Sequence, residues 1–222
     1  MAAAEPNPAD GEPVRPVTDG GRYNPARYEA ASALIVVDMQ NDFAHPDGSL
    51  FVTGGDEIVA TVNAEIGAAR DAGAVVVFTQ DWHPAATPHF LPEGTWPVHC
   101  VGGTWGAELV DGLDPGADAV VRKGTNGEDG YSAFSMRHPV TGREAPTGLA
   151  GLLRDRSVTE VVVVGLATDV CVAATAVDAA GAGFATTVRW DASRPVVADE
   201  DTDRRVAATL DGAGVTVQGR EH

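Results

Sequence analysis

Lys123 is the only lysine among the 15 basic side chains of this chain, and it ends the short run Ala119-Val120-Val121-Arg122. Arginine stays protonated and forks bidentately, whereas lysine is a compact charge that can work inside a catalytic site. Two other residues could complete such a site. Cys171 falls about two residues into a helical pattern that starts at Thr168 or Asp169, either of which is a good N-cap. First-turn amides and the helix dipole favour an anion there, so the thiol is expected to have a lowered pKa and to act as a nucleophile. Asp38 ends a wholly apolar run, where desolvation should raise its pKa. It could take the thiol proton and return it to a leaving amine, while Lys123 stabilises the thiolate and keeps the carboxylate ionised. Each has a structural alternative: a cysteine packed as a small apolar group, an aspartate capping a turn, a lysine that only carries charge.

A second constellation occupies one proline-rich loop. Three of the six histidines lie there in the pattern Asp81-x-His83-x₅-His89-x₉-His99. A carboxylate with imidazoles suits one divalent ion, Zn²⁺, Fe²⁺ or Mn²⁺. Four protein ligands would fill a tetrahedral site, so only a five- or six-coordinate ion would keep positions for water or substrate. The loop runs to about Gly106, long for a strand-to-helix connection, and such loops are usually functional. Cys100 reads as structural.

These groups need elements to hold them together. Apolar runs at residues 33–37, 74–79, 119–121, 160–164 and 184–190, with a weaker one at 215–218, are β-branched and nearly continuous, as strands buried on both faces are. Helical periodicity fills the stretches 56–72, 149–156, 169–180 and 199–210. Strands alternating with helices predict a three-layer α/β/α fold around a six-stranded, mainly parallel sheet. The ligand crevice of such a sheet lies outside the carboxyl ends of its strands. Asp38, Asp81 with His83, Lys123 and Cys171 each follow or end a predicted strand, so one rim collects all of them.

A net charge of -17 argues against nucleic acid and anionic membranes as partners. No apolar stretch approaches the roughly 18 residues that a spanning helix needs. Two cysteines make no disulfide framework and suit a reducing cytoplasm. Residues 1–28 are rich in Ala, Pro, Glu, Asp and Gly without the apolar core of a secretory signal; they are expected to form a flexible extension, with a single domain over 29–222. The turn 38–43 contains no glycine, which disfavours a dinucleotide-binding module.

Taken together, Val37-Asp38-Met39-Gln40-Asn41-Asp42-Phe43, the Asp81/His83/His89 spacing, Trp96-Pro97-Val98-His99-Cys100, Lys123-Gly124 and Gly165-Leu166-Ala167-Thr168-Asp169-Val170-Cys171-Val172 resemble the nicotinamidases, or pyrazinamidases, of the isochorismatase-like cysteine hydrolases. The resemblance covers residues 33–218. It implies a catalytic triad of Asp38, Lys123 and Cys171. It also implies a cis peptide between Leu166 and Ala167 that turns the Ala167 and Cys171 amides toward an oxyanion. Asp81, His83, His89 and His99 would hold the metal, with a substrate ring nitrogen reaching it, and Phe43, Trp96, Tyr131 and Ala167 would enclose the ring. The implied reaction converts nicotinamide to nicotinate and ammonia, in pyridine-nucleotide salvage. A carbamoyl or ureido amidohydrolase, or an isochorismatase-type ether hydrolase, would keep Asp38 and Lys123, and is the alternative. The stretch 135–144 looks longer than the family's usual loop. The sequence leaves a homo-oligomer open.

Overall fold

In a computed structural model, which describes residues 23–220, the strand Ser32–Val37 (β1) is buried along its whole length, as its unbroken apolar sequence requires. Its side chains alternate between two cores. Leu34 and Val36 pack on one face of the sheet, Ala33, Ile35 and Val37 on the other. The following elements are α1 (Asn41–Ala44), α2 (Val59–Asp71), β2 (Val75–Asp81), β3 (Ala119–Lys123), β4 (Ser135–Arg137), β5 (Glu144–Pro146), α3 (Leu149–Asp155), β6 (Glu160–Leu166), α4 (Ala173–Gly181), β7 (Ala185–Arg194), α5 (Glu200–Gly212) and β8 (Thr216–Gln218). The main sheet has six strands in the order β3-β2-β1-β6-β7-β8, and every pairing in it is parallel. Ile58, Val62, Ile66 and Ala69, from α2 and the residue before it, cover one face. Leu149 and Leu153 of α3, Ala176 and Ala179 of α4, and Val206 and Leu210 of α5 cover the other. The predicted three-layer α/β/α architecture is the observed one.

The chain runs outward from β1 through β2 to β3, then restarts at β6 on the other side of β1. That reversal makes the β1/β6 boundary a topological switch point, where a crevice opens beyond the strand ends. The strands come close there. Gly165 sits at φ 107, and a Cβ built on it would overlap the Val37 carbonyl oxygen.

Some local structure differs from the sequence reading. Neither Thr168 nor Asp169 caps the helix that carries Cys171. Thr168–Val172 is a π-helical turn, with Val172 N–H donating to Ala167 O, and only then does α4 begin. The Asp169 carboxylate instead accepts from the Val196 and Val197 amides at 2.8 and 3.1 Å. Residues 135–144 span a two-stranded antiparallel hairpin, in which the turn 138–143 joins β4 to β5. Of the expected N-terminal extension, residues 1–22 lie outside the described residues; Tyr23, Ala26 and Tyr28 all hydrogen-bond to the buried Glu65. Both cysteines are free. Among the described residues no helix is long and apolar enough to cross a membrane.

Candidate active site

Asp38 is the first residue past β1 and takes a positive φ of 48, a conformation aspartate tolerates better than most side chains. The turn leaves its carboxylate fully buried. Thr79 of β2 donates to Asp38 Oδ1 at 2.5 Å and accepts from the Asp38 amide at 3.1 Å, so both ends of Asp38 are held by one hydroxyl. Lys123 closes β3, directly beside Asp81 at the end of β2. Its Nζ donates to Asp38 Oδ2 at 2.6 Å and Gly130 O at 2.5 Å, and lies 2.9 Å from Asp81 Oδ1. Two hydrogen bonds and the charge pairing with Asp81 hold this buried ammonium. Cys171 arrives from the π-helical turn, and its Sγ lies within 4.8 Å of carboxylate oxygens of both Asp38 and Asp81. The three groups expected to act together are brought together.

Burial governs the protonation of this cluster. It raises the Asp38 carboxyl, against the opposing pull of Lys123. Burial alone would lower Lys123, but Asp38 and Asp81 outweigh it and hold the ammonium well above its usual value. For Cys171 the outcome corrects the sequence reading: burial pushes the thiol well up, Lys123 opposes this, and the Asp38 and Asp81 carboxylates add to the rise. A helix-start position does not lower this pKa, because the thiol is desolvated and faces two anions.

Asp81 also faces the histidines. Its Oδ2 lies 3.8 Å from Nε2 of both His83 and His99, and ring nitrogens of His83, His89 and His99 fall within 4.8 Å of one another. Both His83 nitrogens are buried without a hydrogen-bond partner among the described residues. Such orphaned polar atoms call for a ligand. Three clustered imidazole nitrogens, with a carboxylate oxygen 3.8 Å from two of them, fit a divalent metal ion. Burial lowers the His89 pKa, which favours the neutral ring that a metal needs. Asp81 therefore belongs to both constellations.

Over this floor lies a pocket with about 390 Å³ of empty space, its open mouth included. Its walls include Phe43 from α1, Trp96 and Tyr131 from loops, and Leu166 and Ala167, which are joined by a cis peptide bond. Trp96 Nε1 donates to the Tyr131 hydroxyl at 3.0 Å, tying two walls together. Cys171 and Asp81 reach the same cavity.

Several functional neighbours carried no signal in the sequence spacing. Gln40 grips the Asp81 backbone from both sides, accepting from its amide and donating to its carbonyl, each at 2.7 Å. The Asp42 carboxylate accepts from the amides of Ser49 at 3.0 Å and Cys100 at 2.6 Å, which fixes the chain next to His99. Gly130 comes so close that an added Cβ would stand 2.6 Å from the Lys123 Cβ. Cys100 is buried and takes no part in the cluster; burial pushes its thiol well up.

Known proteins share this arrangement of chain. The isochorismatase domain family matches residues 32–219. The nicotinamidase of Acinetobacter baylyi is 42% identical over 183 residues, 74% of this chain and 81% of that one. The structure of PnC1 from L. infantum in complex with nicotinate is similar at a TM-score of 0.76 and 38% identity, over 86% of this chain and 94% of that one. The pyrazinamidase of Pyrococcus horikoshii in complex with zinc has a TM-score of 0.73 and 36% identity, over 84% and 98% of the two chains. With the sheet, the crevice and nearly all of the described residues matched, the chain belongs to the isochorismatase-like hydrolases and, among them, to the nicotinamidase/pyrazinamidase group.

Proposed function

We propose that this chain is a metal-dependent nicotinamidase that hydrolyses nicotinamide, and pyrazinamide as well, to the acid and ammonia through a thioester on Cys171. The position of Lys123 carries this reading. One buried cation, 2.6 Å from Asp38 and 2.9 Å from Asp81, ties the base beside the thiol to the carboxylate that faces His83 and His99. The aromatic walls of the pocket support a flat ring over a linear ureido chain.

Burial raises Cys171, so the sulfur keeps its proton until substrate arrives, and the raised Asp38 carboxylate is the stronger base to receive it. Sγ then attacks the carboxamide carbon while its proton passes to Asp38. The Ala167 and Cys171 amides receive the oxyanion, and Lys123 keeps its charge beside the carboxyl throughout. Asp38 returns the proton to the amine nitrogen, the C–N bond breaks and ammonia leaves. A water deprotonated by Asp38 cleaves the thioester, and the proton returns to sulfur. Phe43, Trp96 and Tyr131 hold the ring so that its carboxamide meets the thiol. Asp81, His83, His89 and His99 would hold a zinc, iron or manganese ion, which when bound supplies a Lewis acid for a ring nitrogen.

The test is ammonia release from nicotinamide by the full chain and by Cys171→Ala. The variant is expected to fold, by circular dichroism, and to release no ammonia above background. Substantial turnover in the variant would remove Cys171 as nucleophile. Release from ureido compounds but not from nicotinamide would overturn the substrate.

A further inference from the structure

Three imidazoles converge on the metal cluster, and they are held in three different ways. His99 Nδ1 lies 2.8 Å from its neighbour Pro97 O, a backbone carbonyl. His83 has neither nitrogen engaged, its ring stacked on that of His89 with centroids 4.5 Å apart. His89 alone is held by a side chain: its Nδ1 lies 2.8 Å from Asp129 Oδ1, a carboxylate buried at 8% exposure. A carboxylate has no proton to give at neutral pH, so the hydrogen of this bond sits on Nδ1 and the Nε2 lone pair is left for another acceptor of electrons.

Asp129 is itself fixed. Its amide and carbonyl exchange hydrogen bonds with Arg137 of β4 at 2.7 and 2.9 Å, and Arg137 Nη2 reaches Oδ2 at 3.1 Å. The next residue, Gly130, gives its carbonyl to Lys123, and Tyr131 after it walls the pocket. One tripeptide thus touches the histidine cluster, the lysine and the substrate cavity in turn.

We infer that Asp129 is a positioning residue of the metal centre, orienting His89 and setting its tautomer so that Nε2 faces the ion. This rests on the metal site proposed above. Two roles compete for this carboxylate, alignment of His89 and anchoring of the β4–β5 hairpin through Arg137. The Arg137 side chain is 55% exposed, so its ion pair is of the weak surface kind, whereas the His89 contact is buried. The carboxylate therefore matters chiefly to the imidazole.

The experiment measures Zn²⁺ affinity of the full chain by competition with a chromophoric chelator, beside ammonia release. Asp129→Ala is expected to bind Zn²⁺ about 10- to 100-fold more weakly, the usual loss when an outer partner of a ligating histidine is removed. Asp129→Asn keeps an acceptor for Nδ1–H without the charge and should fall between Asp129→Ala and the full chain. Arg137→Ala should bind within about threefold of the full chain, as expected for a surface ion pair. Asp129→Ala binding within that same margin would overturn the inference, and so would Arg137→Ala losing as much as Asp129→Ala. If Asp129→Ala fails to fold, Asp129→Asn decides, and affinity equal to the full chain overturns the role. A full chain with no Zn²⁺ affinity above a His83→Ala control would remove the inference together with the metal site. Ammonia release by that same chain reports separately on the nicotinamidase reading.

Discussion

A lysine can be buried completely only where its charge is paired, and Lys123 is held by hydrogen bonds to Asp38 and the Gly130 carbonyl and by its charge pairing with Asp81. Arginine would carry the same charge into a space built for a compact ammonium, with Gly130 packed against its Cβ. Lys123→Arg is therefore expected to lower kcat for ammonia release by about 100-fold or more, the scale seen when one electrostatic group of an acyl-transfer site is lost. Near-normal kcat would mean that only a positive charge is required. The presence of Asp38, Lys123 and Cys171 at strand ends was legible in the sequence, because apolar runs mark the strands and the polar residues after them stand out. The sign of the Cys171 shift was not. A helix start argues for a lowered thiol, but burial and the Asp38 and Asp81 carboxylates decide the matter, and neither is visible from the residues around position 171.

At the scale of elements, the crevice depends on how closely β6 approaches β1. Gly165 lies in that approach, next to an irregularity in the β6–β7 register between Val163 and Gly165. Gly165→Ala brings a Cβ into the Val37 carbonyl at a positive φ that alanine avoids. It is expected to cost at least about 2–3 kcal/mol in urea unfolding, the range of overpacking in a closed interior, and to lower ammonia release as the ends of β1 and β6 shift. A loss under 0.5 kcal/mol would show that the strands can part without harm. The strands and long helices were readable because burial on two faces or on one stripe imposes a period on the sequence. The π-helical turn was not, since its pairing of Val172 N–H with Ala167 O leaves no mark in side-chain periodicity. The β4–β5 hairpin was equally hidden: its strands are three residues each and largely exposed, so no face of it is patterned.

Across the whole molecule, a second buried polar cluster stands apart from the pocket. Glu65 of α2 accepts from the hydroxyls of Tyr23 and Tyr28 and the amide of Ala26, and pairs with Arg189 of β7 at 2.9 Å. Arg189 also reaches the Asn24 carbonyl, so the pair fastens residues 23–28 across α2 and β7. Glu65→Ala would take one of the two carboxylate partners of the Arg189 guanidinium, which keeps Asp191, and leave the buried Tyr28 and half-buried Tyr23 hydroxyls short of their acceptor. Its expected cost is about 1–3 kcal/mol in urea unfolding, with kcat of the folded variant unchanged because none of these residues lines the pocket. A fall in kcat without loss of stability would contradict that separation. From the sequence alone come the six main-sheet strands and four long helices in chain order, the layered class, and which side chains are chemically able, because periodicity and residue type are local properties. Only the tertiary structure decides that Asp81 serves both constellations, that Asp129 faces His89, that Gln40 grips Asp81, and that the thiol is raised. Those facts depend on distances across about 40 residues of chain or more and on how much water is excluded, and a linear sequence holds neither.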